Sequence, residues 1–228
     1  MNSGIENIDV DMHKGREVIY ATLSNIFLNM PSNELFANVE AVFSSFELED
    51  SADKMMKDGL KAVQNFIKNR NALNSEEKKQ FDDKFLHDYT RLFCLTDSVP
   101  VAESIYLSPS HLTMQEETGK VFYIYKSCNF DMKHTSNEPL DHIAYELMFM
   151  SYLSKGIAQN IEKGNMEQVN NLMHLQKMFL DEHLLKWVEM FSKSVIGFAE
   201  SVSFYAPVCY FMIGFLKDDF EMIKESLS

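Results

Sequence analysis

Apolar side chains recur every three or four residues along almost the whole chain, and no stretch alternates with period two. That spacing commits the backbone to amphipathic helices. From Arg16 to Met30 the repeat is carried by Ile19, Leu23, Ile26, Phe27 and Met30. Pro31 and Ser32 punctuate it, and Ser32 is placed to cap a second helix bearing Leu35, Phe36, Val39, Val42, Phe43 and Phe46. A third pattern runs through Met55, Met56, Leu60, Val63, Phe66 and Ile67 into the polar run Lys68 to Asn74. Ser75 is the expected N-cap of a fourth helix, with Glu76 and Glu77 favourable to its dipole. Its apolar face holds Phe81, Phe85, Tyr89, Leu92 and Phe93.

Regularity breaks between Cys94 and Ser110, around Pro100 and Pro109. This predicts a loop of about fifteen residues, a length that usually marks function or mobility. Thr113 and Glu116 have capping-box spacing ahead of Val121, Ile124 and Tyr125. Polar Asn129 to Asn137 reads as a hinge, and Asn137 as the cap of a helix with Glu138 and Pro139 in its first turn, running through Ile143, Leu147 and Met150 to Ile161. Gly164 and Asn165 divide it from a pattern through Val169, Leu172, Met173, Met178 and Phe179. Leu184 to Phe191 and the apolar run Val202 to Leu216 complete the chain. That last run, interrupted by Ser203, Pro207 and Gly214, is too short to cross a bilayer and reads as a core helix. The expected fold class is all-α: a helical bundle of roughly ten helices. Two helical halves, 1–128 and 138–228, are joined by the polar hinge 129–137.

Composition agrees and narrows the partners. The 228 residues include only 8 Gly and 5 Pro but 15 Met and 18 Phe, which favours helices over strands and turns. A net charge of −13 repels phosphate backbones and anionic lipid, so it argues against nucleic-acid and membrane-surface roles and favours a basic peptide. Cys94, Cys128 and Cys209 lie far apart without CxxC spacing, which argues against a zinc ribbon or a disulfide framework. Met1 to Met12 lacks a basic segment followed by an apolar one, so no secretory signal is expected and the predicted location is cytoplasmic.

Chemistry concentrates at Glu138-Pro139-Leu140-Asp141-His142. If Asn137 caps a helix, Glu138, Asp141 and His142 fall at i, i+3 and i+4 on one face. Two carboxylates beside an imidazole can bind a metal, move protons or hold a cation. Equally, acidic residues at a helix start contribute roughly 0.3–1 kcal/mol with no function at all. Glu146 stands at i+4 from His142, but there is no HExxH pair. His174 and His183, nine apart, do not have ligand spacing and read as satisfied histidines. GxGxxG, GxxxxGK[ST] and GxSxG are all absent from the sequence, which removes the usual support for dinucleotide binding, phosphate-loop chemistry and nucleophile-elbow hydrolysis. The Met and Phe content suits a core, and it also suits a surface that accepts variable apolar peptides.

Three segments read together carry a resemblance. Tyr89-Thr90-Arg91-Leu92-Phe93 is similar to a YxxLF element. Pro100-Val101-Ala102-Glu103-Ser104-Ile105-Tyr106 resembles PxxESVY with Ile for Val, and Glu138 to His142 matches EPxDH. In this order the set resembles the TorD/DmsD/NarJ family of redox-enzyme maturation chaperones, across roughly residues 15–220. The loop Cys94 to Val99 departs from it, lacking the second Pro and the Gly common in members.

The resemblance implies a cytoplasmic chaperone, not an enzyme. Such a protein binds the twin-arginine signal peptide and the apo-form of a molybdopterin-containing oxidoreductase until cofactor insertion is complete. The residues implied for signal-peptide binding are Tyr89, Leu92, Phe93, Pro100, Glu103, Ser104, Tyr106, Glu138, Pro139, Asp141 and His142. Glu103 and Asp141 are expected to take guanidinium groups, and Tyr89, Leu92 and Phe93 to line an apolar groove or the core. No catalytic residue, metal or cofactor is implied, although some members are linked to weak GTP binding. Partners are the apo-molybdoenzyme and its signal peptide, with no nucleic acid or stable membrane insertion, and the state is a monomer or a domain-swapped dimer. The rival reading is a metal- or nucleotide-dependent enzyme centred on Glu138, Asp141 and His142.

Overall fold

The computed structural model describes residues 9–50, 52–131, 138–198 and 204–228. Helix α1 (Val10–Leu28) starts where the Asp9 side chain accepts the Asp11 N–H, and α2 (Asn33–Phe43) is capped by Ser32 as the spacing predicts. Asp53 caps α3 (Lys54–Asn71). Helix α4 (Ser75–Phe93) is capped by Asn74 rather than Ser75, because the Asn74 carboxamide reaches two N–H groups while Glu77 returns a bond to the cap.

The stretch expected to be an irregular loop contains a short helix, α5 (Glu103–Leu107). The Thr113–Glu116 capping box does not form: α6 (Glu116–Ser127) starts after Gln115 with no side-chain cap. The left-handed turns at His111 and Met114 deliver the chain to that start. Helix α7 (Ile143–Glu162) begins later than expected, with His142 as its N-cap. Glu138 to Asp141 therefore precede the helix, and Asn137 lies outside the described residues.

Gly164, at φ 69°, ends that helix in the left-handed region glycine tolerates, and Asn165 caps α8 (Met166–Phe179). A π-helical turn, Leu180–Leu184, then leads into α9 (Leu185–Phe198). The last helix is α10 (Tyr205–Ser226); Val202 and Ser203 of the expected run lie outside the described residues. The architecture is all-α, and among the described residues the only extended backbone pairing is the bridge Ala102–His142.

Packing joins distant parts of the sequence. Helix α1 lies along α7, with Ser24 Oγ donating to the Ala144 carbonyl at 2.7 Å and Ser151 Oγ to the Glu17 carbonyl at 2.9 Å. Helix α3 crosses α10 at two glycines. A Cβ on Gly59 would stand 2.5 Å from the Phe211 nitrogen, and one on Gly214 would stand 2.4 Å from Met56 Cβ. Nearby, Phe36, Phe66, Phe85, Phe204 and Tyr205 form a run of edge and stacked ring contacts. These rings and the apolar faces of α1, α7, α9 and α10 belong to one hydrophobic core. Among the described residues, no helix is long and apolar enough to cross a membrane.

Candidate functional site

The three motif segments meet in one place. Residues 101–104 run antiparallel to residues 141–143: the Ile143 N–H donates to the Val101 carbonyl at 2.8 Å and the Glu103 N–H to the Asp141 carbonyl at 2.9 Å. Asp141 Oδ2 accepts the Ser104 N–H at 2.8 Å, so the side chain adds a third rung to this clasp. The Val99 N–H reaches the Leu92 carbonyl at 2.8 Å, tying the clasp to the end of α4. Tyr106 closes the turn by donating to the Pro100 carbonyl at 2.8 Å, and its ring lies 5.4 Å from that of Trp187.

Beneath the clasp is a buried polar cluster. Glu103 meets His183 Nδ1 at 2.9 and 3.1 Å, and the π-helical turn carries that imidazole over Phe179. Glu146 accepts the Trp187 Nε1–H at 3.1 Å. Burial first, then the adjacent Glu103 charge, holds the Glu146 carboxyl well above the usual carboxylate range. That environment favours the neutral form of the Glu146 carboxyl. Burial, then Glu146, Glu103 and Asp141, also raises the Tyr125 phenol. His142 Nδ1 accepts the Ala144 N–H at 3.0 Å, and burial lowers the ring pKa to about 4, so it caps α7 as a neutral acceptor.

These contacts place each residue implied for peptide binding. Glu103, Ser104, Asp141 and His142 are all buried, at most 4% exposed. Tyr89 and Leu92 belong to the core, where Tyr89 donates to the Leu28 carbonyl. Phe93 is half-buried against Phe27 and Tyr205. Pro100, Tyr106 and Pro139 are half-buried, and Glu138 is exposed.

One expectation changes. Glu138, Asp141 and His142 do not share the first turn of a helix, because the backbone of Asp141 to Ile143 is committed to the bridge with residues 101–103. Glu103 and Asp141, expected to take guanidinium groups, are buried with His183 and the Ser104 N–H as internal partners, while Asp141 Oδ1 accepts no hydrogen bond. Among the described residues, no group of three or more His, Cys, Asp or Glu could hold a metal ion.

Sequence reasoning missed the partners that make the cluster. His183 reads correctly as a satisfied histidine, but its partner lies 80 residues away. The available signal was Glu146 itself, a lone carboxyl among Ile143, Leu147, Phe149 and Met150 on an apolar helix face.

The comparisons agree with this construction. The sequence pattern of the family described as "Nitrate reductase delta subunit" matches residues 49–193. The chain is 27% identical over 213 residues to a protein of Aliivibrio salmonicida (strain LFI1238) named "Chaperone protein TorD", covering 91% of this chain and 94% of that one. A protein of the same name from Aliivibrio fischeri (strain ATCC 700601 / ES114) is 28% identical over 216 residues, with the same coverage of both chains. One from Vibrio cholerae serotype O1 (strain ATCC 39315 / El Tor Inaba N16961) is 24% identical over 219 residues, covering 94% of each. With the clasped motifs, the all-helical fold and a match over more than half of its length, the chain belongs to the nitrate reductase delta subunit family, in its TorD branch of non-enzymatic maturation chaperones.

Proposed function

We propose that this protein is a cytoplasmic chaperone that binds the twin-arginine signal peptide and the apo-form of a molybdopterin-containing oxidoreductase. It holds that client until cofactor insertion is complete and export can proceed. The observation that carries this reading is the likeness to proteins named chaperone over 91% of the chain and 94% of the relative, which covers an entire architecture rather than one module. The net charge of −13 adds to it, because a client segment with paired arginines is drawn to such a surface.

The motif residues divide by burial. Glu103, Ser104, Asp141, His142, Tyr89 and Leu92 form the frame, while Glu138, with half-buried Pro100, Tyr106, Pro139 and Phe93, forms the edge a client can touch. The protein acts as a monomer and needs no cofactor of its own. Co-purification from the native host tests the reading: an apo-molybdoenzyme in the pull-down, and heat on titrating a synthetic twin-arginine peptide into the chaperone, are the expected results. Stoichiometric metal in the purified protein, or turnover of GTP at ordinary enzymatic rates, overturns it.

A further inference from the structure

Helix α5 is too short to stand by itself: it has five residues, and no side chain caps it. What holds it comes from elsewhere in the chain. Its first two N–H groups go to Asp141, and its buried carboxyl, Glu103, meets His183. The Tyr106 ring rests against Trp187, whose Nε1–H donates to Glu146 at 3.1 Å. His183 and Trp187 lie outside the three motif segments, on the π-helical turn and on α9. The turn explains how both reach α5. At about 3.6 residues per turn, positions four apart drift by about 40°, so Phe179, His183 and Trp187 would wind off one face of a regular helix. The wider π turn takes up that drift. The His183 ring stacks on Phe179 at 4.9 Å, and Trp187 stands 5.7 Å from Phe191, four residues on. Both side chains thereby face the same short helix.

We infer that His183 and Trp187 are positioning residues for the client edge: through Glu103 and Tyr106 they set where α5 lies, and with it the edge formed by Pro100 and Tyr106. The inference rests on the proposed chaperone function and adds to it two buried residues that act without touching the client. The reason lies in what each rearrangement costs. Glu103 is 2% exposed, and a buried carboxyl left without a partner is more unfavourable than one hydrogen bond lost at the surface. Without His183, the least costly way to return Glu103 to water is an outward movement of the five residues of α5. Opening α7 or α9 instead would expose the hydrophobic core. A loosened α5 carries Tyr106 away from Trp187 and breaks its hydrogen bond to the Pro100 carbonyl. Binding must then restore that order first, so affinity falls with the fraction of time the edge is formed.

The test uses the full chain with two substitutions at one position. His183→Leu removes the bond to Glu103, while His183→Asn offers an amide N–H where Nδ1 stood. In the Leu variant, hydrogen exchange should rise at the Ser104, Ile105 and Ser108 amides, while α1, α7 and α10 keep wild-type protection. Trp187 is the single tryptophan of the chain, and its emission should move to the red as Tyr106 leaves it. An edge formed about a tenth of the time weakens a synthetic twin-arginine peptide, made without tryptophan, by about tenfold in calorimetry. His183→Asn should return all three readouts towards the wild type. If His183→Leu does not fold, Trp187→Phe carries the same test by exchange and affinity, since it keeps a ring beside Tyr106 and loses the N–H to Glu146.

Wild-type exchange at α5 in the variant that folds overturns the inference and leaves the chaperone reading intact. So does exchange that rises equally over α1, α7 and α10, which would make these residues supports of the whole fold. A loosened α5 with wild-type peptide affinity also overturns it, because the client would then bind away from this edge. Where apo-oxidoreductase co-purifies although the peptide does not bind, the Leu variant should recover less of it, and equal recovery overturns the inference. No peptide binding together with no client in the pull-down overturns both readings.

Discussion

At the scale of single residues, Asp141 is the position where burial changes the meaning of a polar side chain. Its Oδ2 satisfies the buried Ser104 N–H, so Asp141→Ala orphans that donor and is expected to cost about 1–3 kcal/mol. Asp141→Asn keeps an acceptor oxygen and should recover most of the loss. Urea unfolding of the three proteins reads this directly, and an Ala variant as stable as the wild type removes the clasp as a structural device. The identity of the special residues was legible in the sequence, because Glu138 to His142 stands out as a cluster. Their direction was not. Whether Asp141 and Glu103 face solvent depends on Ser104 and His183, which come from 37 residues upstream of the one and 80 downstream of the other. Local spacing carries no trace of such partners.

At the scale of elements, the long helices follow from periodicity because each buries one continuous face, as α1, α3, α4 and α8 do. The short α5 and the π-helical turn escape it, since five residues are too few to display a period. The start of α7 also escapes local reading: Pro139 and its acidic neighbours suit a first turn, whereas the antiparallel bridge claims that backbone instead. The α3–α10 crossing depends on what is missing from two side chains. A helical Gly→Ala change normally stabilises by up to about 1 kcal/mol. At Gly59 and Gly214 the added Cβ meets Phe211 and Met56 at 2.5 and 2.4 Å, so each change should instead lower stability. Overpacking of this kind costs about 1–3 kcal/mol. Gly119→Ala, where nothing lies within 4 Å, is the internal control and should raise the thermal midpoint. Equal midpoints for all three variants contradict a close crossing.

For the whole molecule, buried titrating groups set how stability follows pH. Burial lowers His13 to about 3 and His142 to about 4, from a usual 6.5. The unfolded chain therefore takes up these protons first, and the stabilisation, complete above pH 6.5, is lost as pH falls towards 4. Each histidine contributes about 1.4 kcal/mol per pH unit within its window. Glu146 has the opposite sign: its folded pKa is raised, so its contribution is present below about 4.5 and is lost as pH rises. Two histidines outweigh one carboxyl, and denaturation midpoints should fall as the pH drops from 6.5 to about 4.5. Glu146→Gln keeps an acceptor for Trp187 and removes the titrating carboxyl. It should raise stability at neutral pH and steepen the acid loss, and a variant with the wild-type profile contradicts a neutral Glu146.

The α1–α7 pairing has a consequence for synthesis. A ribosome delivers α1 first, while α7, which covers Tyr20, Leu23, Ile26 and Phe27 together with the later helices, starts only at Ile143. At about 5–20 residues per second the apolar face of α1 waits on the order of ten seconds for its lid. During that interval the nascent protein itself displays sticky surface, so a molecule that shelters unfinished enzymes passes through an unfinished state needing the same shelter. Premature termination before α7 would make that state permanent, and chains cut there are the ones expected in inclusion bodies.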